Sequence, residues 1–169
     1  MVLQHRQQVL VDTNFVIEAY RCGCWGGLSQ YFKLCTVEQV VTETQTGYQN
    51  RKPEEQINEA GLRASCAHVE AVTQDQRAAF HAAHPTAILD PGERDLIVYA
   101  GSLPQVGLWL LNSPDMALVK HAFCRGWIDR LVSLESMAQH LGLRLNQPLR
   151  DNYTKSWLEL KRRKLLLGI

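Results

Sequence analysis

Four carboxylates are spaced along this chain so that a parallel α/β fold would gather them. Asp12 ends the apolar run QVLV, Glu43 lies in VVTET, Asp95 in GERDLIVYA and Asp115 in LLNSPDMALVKHA. Glu93 adds an acid two residues before Asp95. Carboxylates brought close together cannot all stay ionised without a counter-charge. Hard divalent cations such as Mg²⁺ or Mn²⁺ take oxygen ligands and supply one. One or two such ions lower the pKa of a bound water and steady the charge of a phosphodiester transition state. That is hydrolytic chemistry with no Ser, Cys or His nucleophile.

Each acid also has an ordinary reading. Asp12 can cap the helix that follows it, and Asn14 could do the same. Glu43 can be a solvated mid-helix acid. Glu93, Asp95 and Asp115 can be first-turn acids favoured by a helix dipole. One arrangement accounts for all of them together. In an open parallel sheet, ligands bind beyond the carboxyl ends of the strands, near the point where strand order reverses.

The elements that would position these acids can be read from periodicity and punctuation. Strands are expected at 8–12 (QVLVD), 33–36 (KLCT), 86–90 (TAILD), 107–112 (GLWLLN) and 130–134 (RLVSL). A helix should begin near Asn14. A second should span 36–47, with Thr36 as N-cap, Val37, Val40 and Val41 on one face, and Gly47 as its stop. Helical segments are expected from Pro53 to about Cys66 and from Gln74 to about His84. Pro91 and Gly92 open another, which buries Leu96, Ile97, Ala100 and Leu103. Pro114 is expected at the first position of the helix that Gly126 closes. ESMAQHLG follows, and then a helix from about Asp151 with Tyr153, Trp157 and Leu160 spaced i, i+4, i+7. Strands alternating with helices point to an α/β fold with a parallel sheet. With strand order 3-2-1-4-5, the first and fourth strands are neighbours, so Asp12 and Asp115 share one crevice.

These segments, in this order and approximate spacing, resemble a PIN-domain ribonuclease over about Val9 to Leu134. The resemblance implies a three-layer α/β/α sandwich with a five-stranded parallel sheet. It also implies an acidic Mg²⁺ or Mn²⁺ site that hydrolyses RNA. By motif position the family's four acids fall on Asp12, Glu43, Asp95 and Asp115, with Asp12, Asp95 and Asp115 as metal ligands. Its small polar residue falls on Ser113 or Asn112, and Asn14 and Glu93 are supporting residues. Departing from the family's pattern, NSP separates the fourth strand from Asp115. The family-like insertion would lie around Thr46 to Pro85. A nuclease domain would occupy 1–145, and a basic helical extension 146–169 would lie outside the resemblance. A free-standing small protein of this kind is expected to be a homodimer and the toxin of a VapC-type toxin–antitoxin pair, its antitoxin blocking the acidic crevice with a peptide.

The rest of the chain narrows the partners. At 169 residues, 46% hydrophobic and 21% charged, it is expected to be a globular protein with a core of its own. It carries no apolar run long enough for a membrane span and no signal-peptide pattern, so a cytoplasmic location is expected. Five cysteines without a CxxC spacing read as reduced and mostly buried thiols. The six histidines form no HxH or HxxxH pair and read as surface or packing residues. From Arg150 onward six basic residues face two acids, a basic tail on a slightly acidic body. Lys120, Arg162 and Arg163 are the candidate RNA contacts. Single-stranded or looped RNA is the expected substrate, since an open crevice suits splayed strands. Two other classes compete. One is a nuclease-like module that binds or scaffolds without cutting. The other is a haloacid-dehalogenase-type phosphatase, which needs an acid where VDTN has Asn14.

Overall fold

A computed structural model describes residues 2–169, the side chain of Tyr48 apart. Its centre is β1 (Gln8–Val11), with β2 (Lys33–Val37) on one side and β4 (Trp109–Asn112) on the other, both parallel to it. Val9, Leu10 and Val11 are fully buried. That unbroken apolar run is what a central parallel strand needs, because helices cover both of its faces. β3 (His68–Glu70) completes a four-stranded parallel sheet of order β3-β2-β1-β4.

Two expected strands are absent from this sheet. The edge strand is HVE at 68–70, not TAILD. An edge strand needs only short backbone pairing, so its sequence carries a weak apolar signal. TAILD instead runs without ladder partners, with Ile88 89% exposed, and delivers the chain to Asp90, the cap of the next helix. RLVSL contributes one parallel bridge, Leu111 to Leu131, and no strand. Asn112 Nδ2 donates to the Val132 carbonyl, and Ser133 then turns to cap a helix, so the ladder stops there. The sheet therefore has four strands where five were expected.

The helices are α1 (Thr13–Arg21), α2 (Trp25–Tyr31), α3 (Glu38–Gln45), α4 (Glu59–Ser65), α5 (Gln74–Ala83), α6 (Pro91–Ser102), α7 (Met116–Cys124), α8 (Leu134–His140) and α9 (Lys155–Leu167). The α/β arrangement is compatible with a three-layer sandwich. Caps were displaced by a residue or two from their expected places. Val37, not Thr36, precedes α3, because the Thr36 hydroxyl is drawn into the sheet and donates to the Val11 carbonyl. Asp115 caps α7, so Pro114 sits before the helix instead of at its first position. The expected 53–66 helix divides into a 3₁₀ turn at Pro53–Glu55 and α4, which Asn58 caps. No helix among the described residues is long and apolar enough to cross a membrane.

The C-terminal segment is fastened to the body. Arg150 donates to fully buried Glu18 of α1 through its backbone N–H, and its guanidinium pairs with Glu18 at 3.0 Å. A 3₁₀ turn, Asp151–Tyr153, buries Tyr153, and α9 packs on α7 and α8. Thr154 breaks and recaps the chain, which resets the helical phase. Leu158 is therefore buried and Leu160 is 48% exposed, against the expected stripe.

Candidate functional site

The register of the sheet sets the site. Val11 of β1 lies beside Asn112 of β4, so the next residues, Asp12 and Ser113, leave the sheet side by side. Asp12 is 2% exposed. Its Oδ1 accepts from Phe15 N at 2.7 Å, which caps α1, and its Oδ2 accepts from Ser113 Oγ at 2.6 Å. Ser113 Oγ in turn accepts from Asp115 N at 3.1 Å. Asp115 caps α7, its carboxylate accepting from Ala117 N at 2.6 Å. The capping reading thus holds for Asp12, while Asp115, expected in the first turn, is itself a cap. A carboxylate offers about four lone-pair sites, so capping leaves each of them acceptor capacity.

Glu43 reaches the same edge from α3. Its Oε2 accepts from the Thr13 hydroxyl, and its Oε1 from Gly92 N at 2.9 Å and Gln39 Nε2 at 3.3 Å. It joins the first turn of α1 to the first turn of α6, where free N–H groups favour an anion. Gly92 has to be glycine for this: a Cβ there would lie 2.5 Å from Glu43 Oε2. Thr13 and Gly92 were not among the expected site residues. A glycine in the first turn of a helix, at a cost of up to about 1 kcal/mol relative to alanine, is a signal for such close approach.

Glu93 and Asp95 have different surroundings. Glu93 is 7% exposed, and its Oε2 accepts from Asp90 N at 3.2 Å. Asp95, 1% exposed, is held by two arginines. Arg77 of α5 binds it through Nη2 at 2.6 Å and Nε at 3.0 Å, and Arg94 Nε lies at 3.0 Å. Asp95 is thereby neutralised within the protein.

The Asp12 carboxyl is pushed up to about 7 by burial, and the charges of Asp115 and Glu43 add to the rise, while the Ser113 and Phe15 hydrogen bonds oppose it. Glu93 rises to about 8 through burial, then through the charges of Asp115, Asp12 and Asp90. Neither acid has a salt bridge among the described residues. The charges of Asp115, Glu43 and Asp90 thus bear on this pair, Asp115 on both members, and Asp12 in turn on Glu93. Tyr153 is affected too: burial first, and then the charge of Asp12, raise its phenol. Its hydroxyl donates to the Asn14 carbonyl at 3.2 Å, and Asn152 Nδ2 to the Pro114 carbonyl at 3.5 Å. The C-terminal segment thus ties together the loops that carry Asp12 and Asp115.

A hard divalent cation matches this all-oxygen donor set and would supply the positive charge it lacks. Among the described residues, no three His, Cys, Asp or Glu side chains stand close enough together to hold a metal as they are. Of the expected RNA contacts, Lys120 and Arg163 are exposed. Arg162 is partly buried and donates through Nε to the Ile128 carbonyl at 3.1 Å and through Nη2 to the Leu131 carbonyl. The cysteines are free thiols, three of them buried. No family model matches this chain, and no curated protein shows significant similarity to it.

Proposed function

We propose that this protein is a metal-dependent ribonuclease whose crevice lies at the carboxyl ends of β1 and β4. One observation carries the reading: two buried carboxyls, Asp12 and Glu93, raised by burial and by the charges of neighbouring acids, without a salt bridge among the described residues. The PIN-like segments around Asp12, Glu43, Asp95 and Asp115 agree with it. Asp12, Glu93 and Asp115 would hold Mg²⁺ or Mn²⁺, with Glu93 in the role that the motif position gave to Asp95. When bound, the ion would lower the pKa of a water and offset phosphodiester charge.

The chain's own groups fix the ligands. Ser113 aims Asp12 Oδ2 and spaces it from Asp115. Glu43, tied to Thr13 and Gly92, is a positioning residue that sets the distance between α1 and α6. Single-stranded or looped RNA is the proposed substrate, and the toxin of a toxin–antitoxin pair, homodimeric and cytoplasmic, is the proposed setting.

A second reading is a binding module that does not cut. It draws on Asp12 having both oxygens already in hydrogen bonds. The experiment is cleavage of labelled single-stranded RNA with Mn²⁺ or Mg²⁺, beside EDTA, Asp12→Asn and Asp115→Asn. Metal-dependent cutting lost in both variants supports the nuclease. No cutting together with no Mn²⁺ binding by calorimetry leaves the module.

A further inference from the structure

A second feature lies away from the acids. α8, α9, the segment from Leu131 to Ser133 and N-terminal Val2 and Leu3 line an open groove of about 620 Å³, within the size range of small-molecule sites. Its lining includes apolar Leu131 and Leu158, polar Ser136 and Gln139, and the cations Lys155 and Arg162. The two cations differ. Lys155 is exposed and has Glu159, which also lines the groove, at 3.7 Å. Arg162 pairs with no carboxylate among the described residues. Its Nε and Nη2 are held by the Ile128 and Leu131 carbonyls, and Nη1 has no hydrogen-bond partner among the described residues. A partly buried guanidinium, fixed in orientation, with Nη1 open to solvent and only the more distant charges of Asp129 and Glu159 acting on it, is suited to bind an anionic oxygen.

We propose that this groove binds a small organic anion, its carboxylate or phosphate on Arg162 Nη1 and its apolar body against Leu131 and Leu158. The proposal does not depend on the ribonuclease reading. Arg162 would then serve this site in place of the RNA contact expected from the tail. Backbone carbonyls hold the guanidinium in place before a ligand arrives, so little side-chain freedom is lost on binding.

The test is an NMR titration of the full chain in EDTA with phenyl phosphate, benzoate and, as the uncharged control, benzyl alcohol. Phenyl phosphate or benzoate should shift the amides of Leu131, Ser136 and Leu158, and benzyl alcohol should not. Whichever anion binds more tightly names the head group. Arg162→Met should weaken binding by at least about tenfold, as loss of a charge-assisted contact does. That variant also strips two carbonyls of their donor, so Gln139→Trp provides an independent block by filling the groove from an exposed position. Asp12→Asn should bind as the wild type does, which separates this site from the acidic crevice. No shift with either anion at millimolar concentration would overturn the proposal. So would equal shifts with benzyl alcohol, or binding that survives both Arg162→Met and Gln139→Trp.

Discussion

Ser113 Oγ lies 2.6 Å from Asp12 Oδ2, and this hydrogen bond joins the end of β4 to the end of β1. It lowers a carboxyl that burial otherwise drives upward. Ser113→Ala should therefore push Asp12 above its value of about 7 and cost roughly 1–2 kcal/mol, the usual loss for a buried hydrogen bond. A ¹³C NMR titration of the Asp12 carboxyl, with a denaturation curve beside it, measures both. An unmoved Asp12 would mean that the serine does not set its charge.

The metal-free protein should lose stability as pH rises from about 4 to about 8. Asp12 shifts from its ordinary 3.8 to about 7, and Glu93 from 4.5 to about 8. In both, the folded state keeps its proton to higher pH than the unfolded chain does. Stability is therefore highest below the ordinary pKa and falls as pH climbs through the folded one. For Asp12 the shift corresponds to at most about 4 kcal/mol. Urea melts in EDTA at several pH values should show the slope, and Asp12→Asn should flatten it. Mn²⁺ should stabilise more at pH about 8 than at pH about 5, because it competes with the protons. A flat profile would remove the basis of the metal reading.

Glu93 and Asp95 should respond in opposite ways to neutralisation. Asp95→Asn breaks a buried pair with Arg77 and Arg94, and should cost about 3 kcal/mol or more. Glu93→Gln replaces a carboxyl that is mostly protonated at neutral pH, and should leave stability there nearly unchanged and raise it above pH about 8, where the wild-type group would have to ionise. RNA cleavage should vanish in Glu93→Gln and persist in Asp95→Asn below its melting temperature. The reverse pattern would return the ligand role to Asp95.

Gly92→Ala should displace Glu43, since the new Cβ would sit 2.5 Å from Oε2. The expected loss is about 1–3 kcal/mol, typical of overpacking. Weaker protection of the residue 92 amide in hydrogen exchange would register the loss of its bond to Glu43. Full protection in the variant would show that Glu43 can yield without cost.

Glu18→Gln should loosen the C-terminal segment. Glu18 is fully buried and accepts from Arg21 at 2.6 and 2.8 Å as well as from Arg150. Removing its charge leaves the Arg21 guanidinium, buried beside it, uncompensated at a cost of roughly 3 kcal/mol. Limited proteolysis should then cut between Asn146 and Thr154 faster than in the wild type. Unchanged cutting would mean that Tyr153 and α9 hold the segment without this network.

Much of this architecture was legible in the residues themselves. VLV and WLL are unbroken apolar runs, and such runs belong in the middle of a parallel sheet, so β1 and β4 were found along with their adjacency. Asp12 and Asp115 follow strands and precede helices, which places them at the carboxyl edge by local sequence alone. The edge of the sheet was not legible. His68–Glu70 pairs through its backbone, and TAILD, apolar enough to look like a strand, never meets a partner. Nor could the sequence choose between Glu93 and Asp95. Two residues apart on a helix point roughly 200° apart, so only one of them can face the acids. Tertiary packing decides which. α6 lies on β1 and β2 with Glu93 close enough to Asp115 and Asp12 to feel their charges, and α5 brings Arg77 to Asp95, whose charge it takes up.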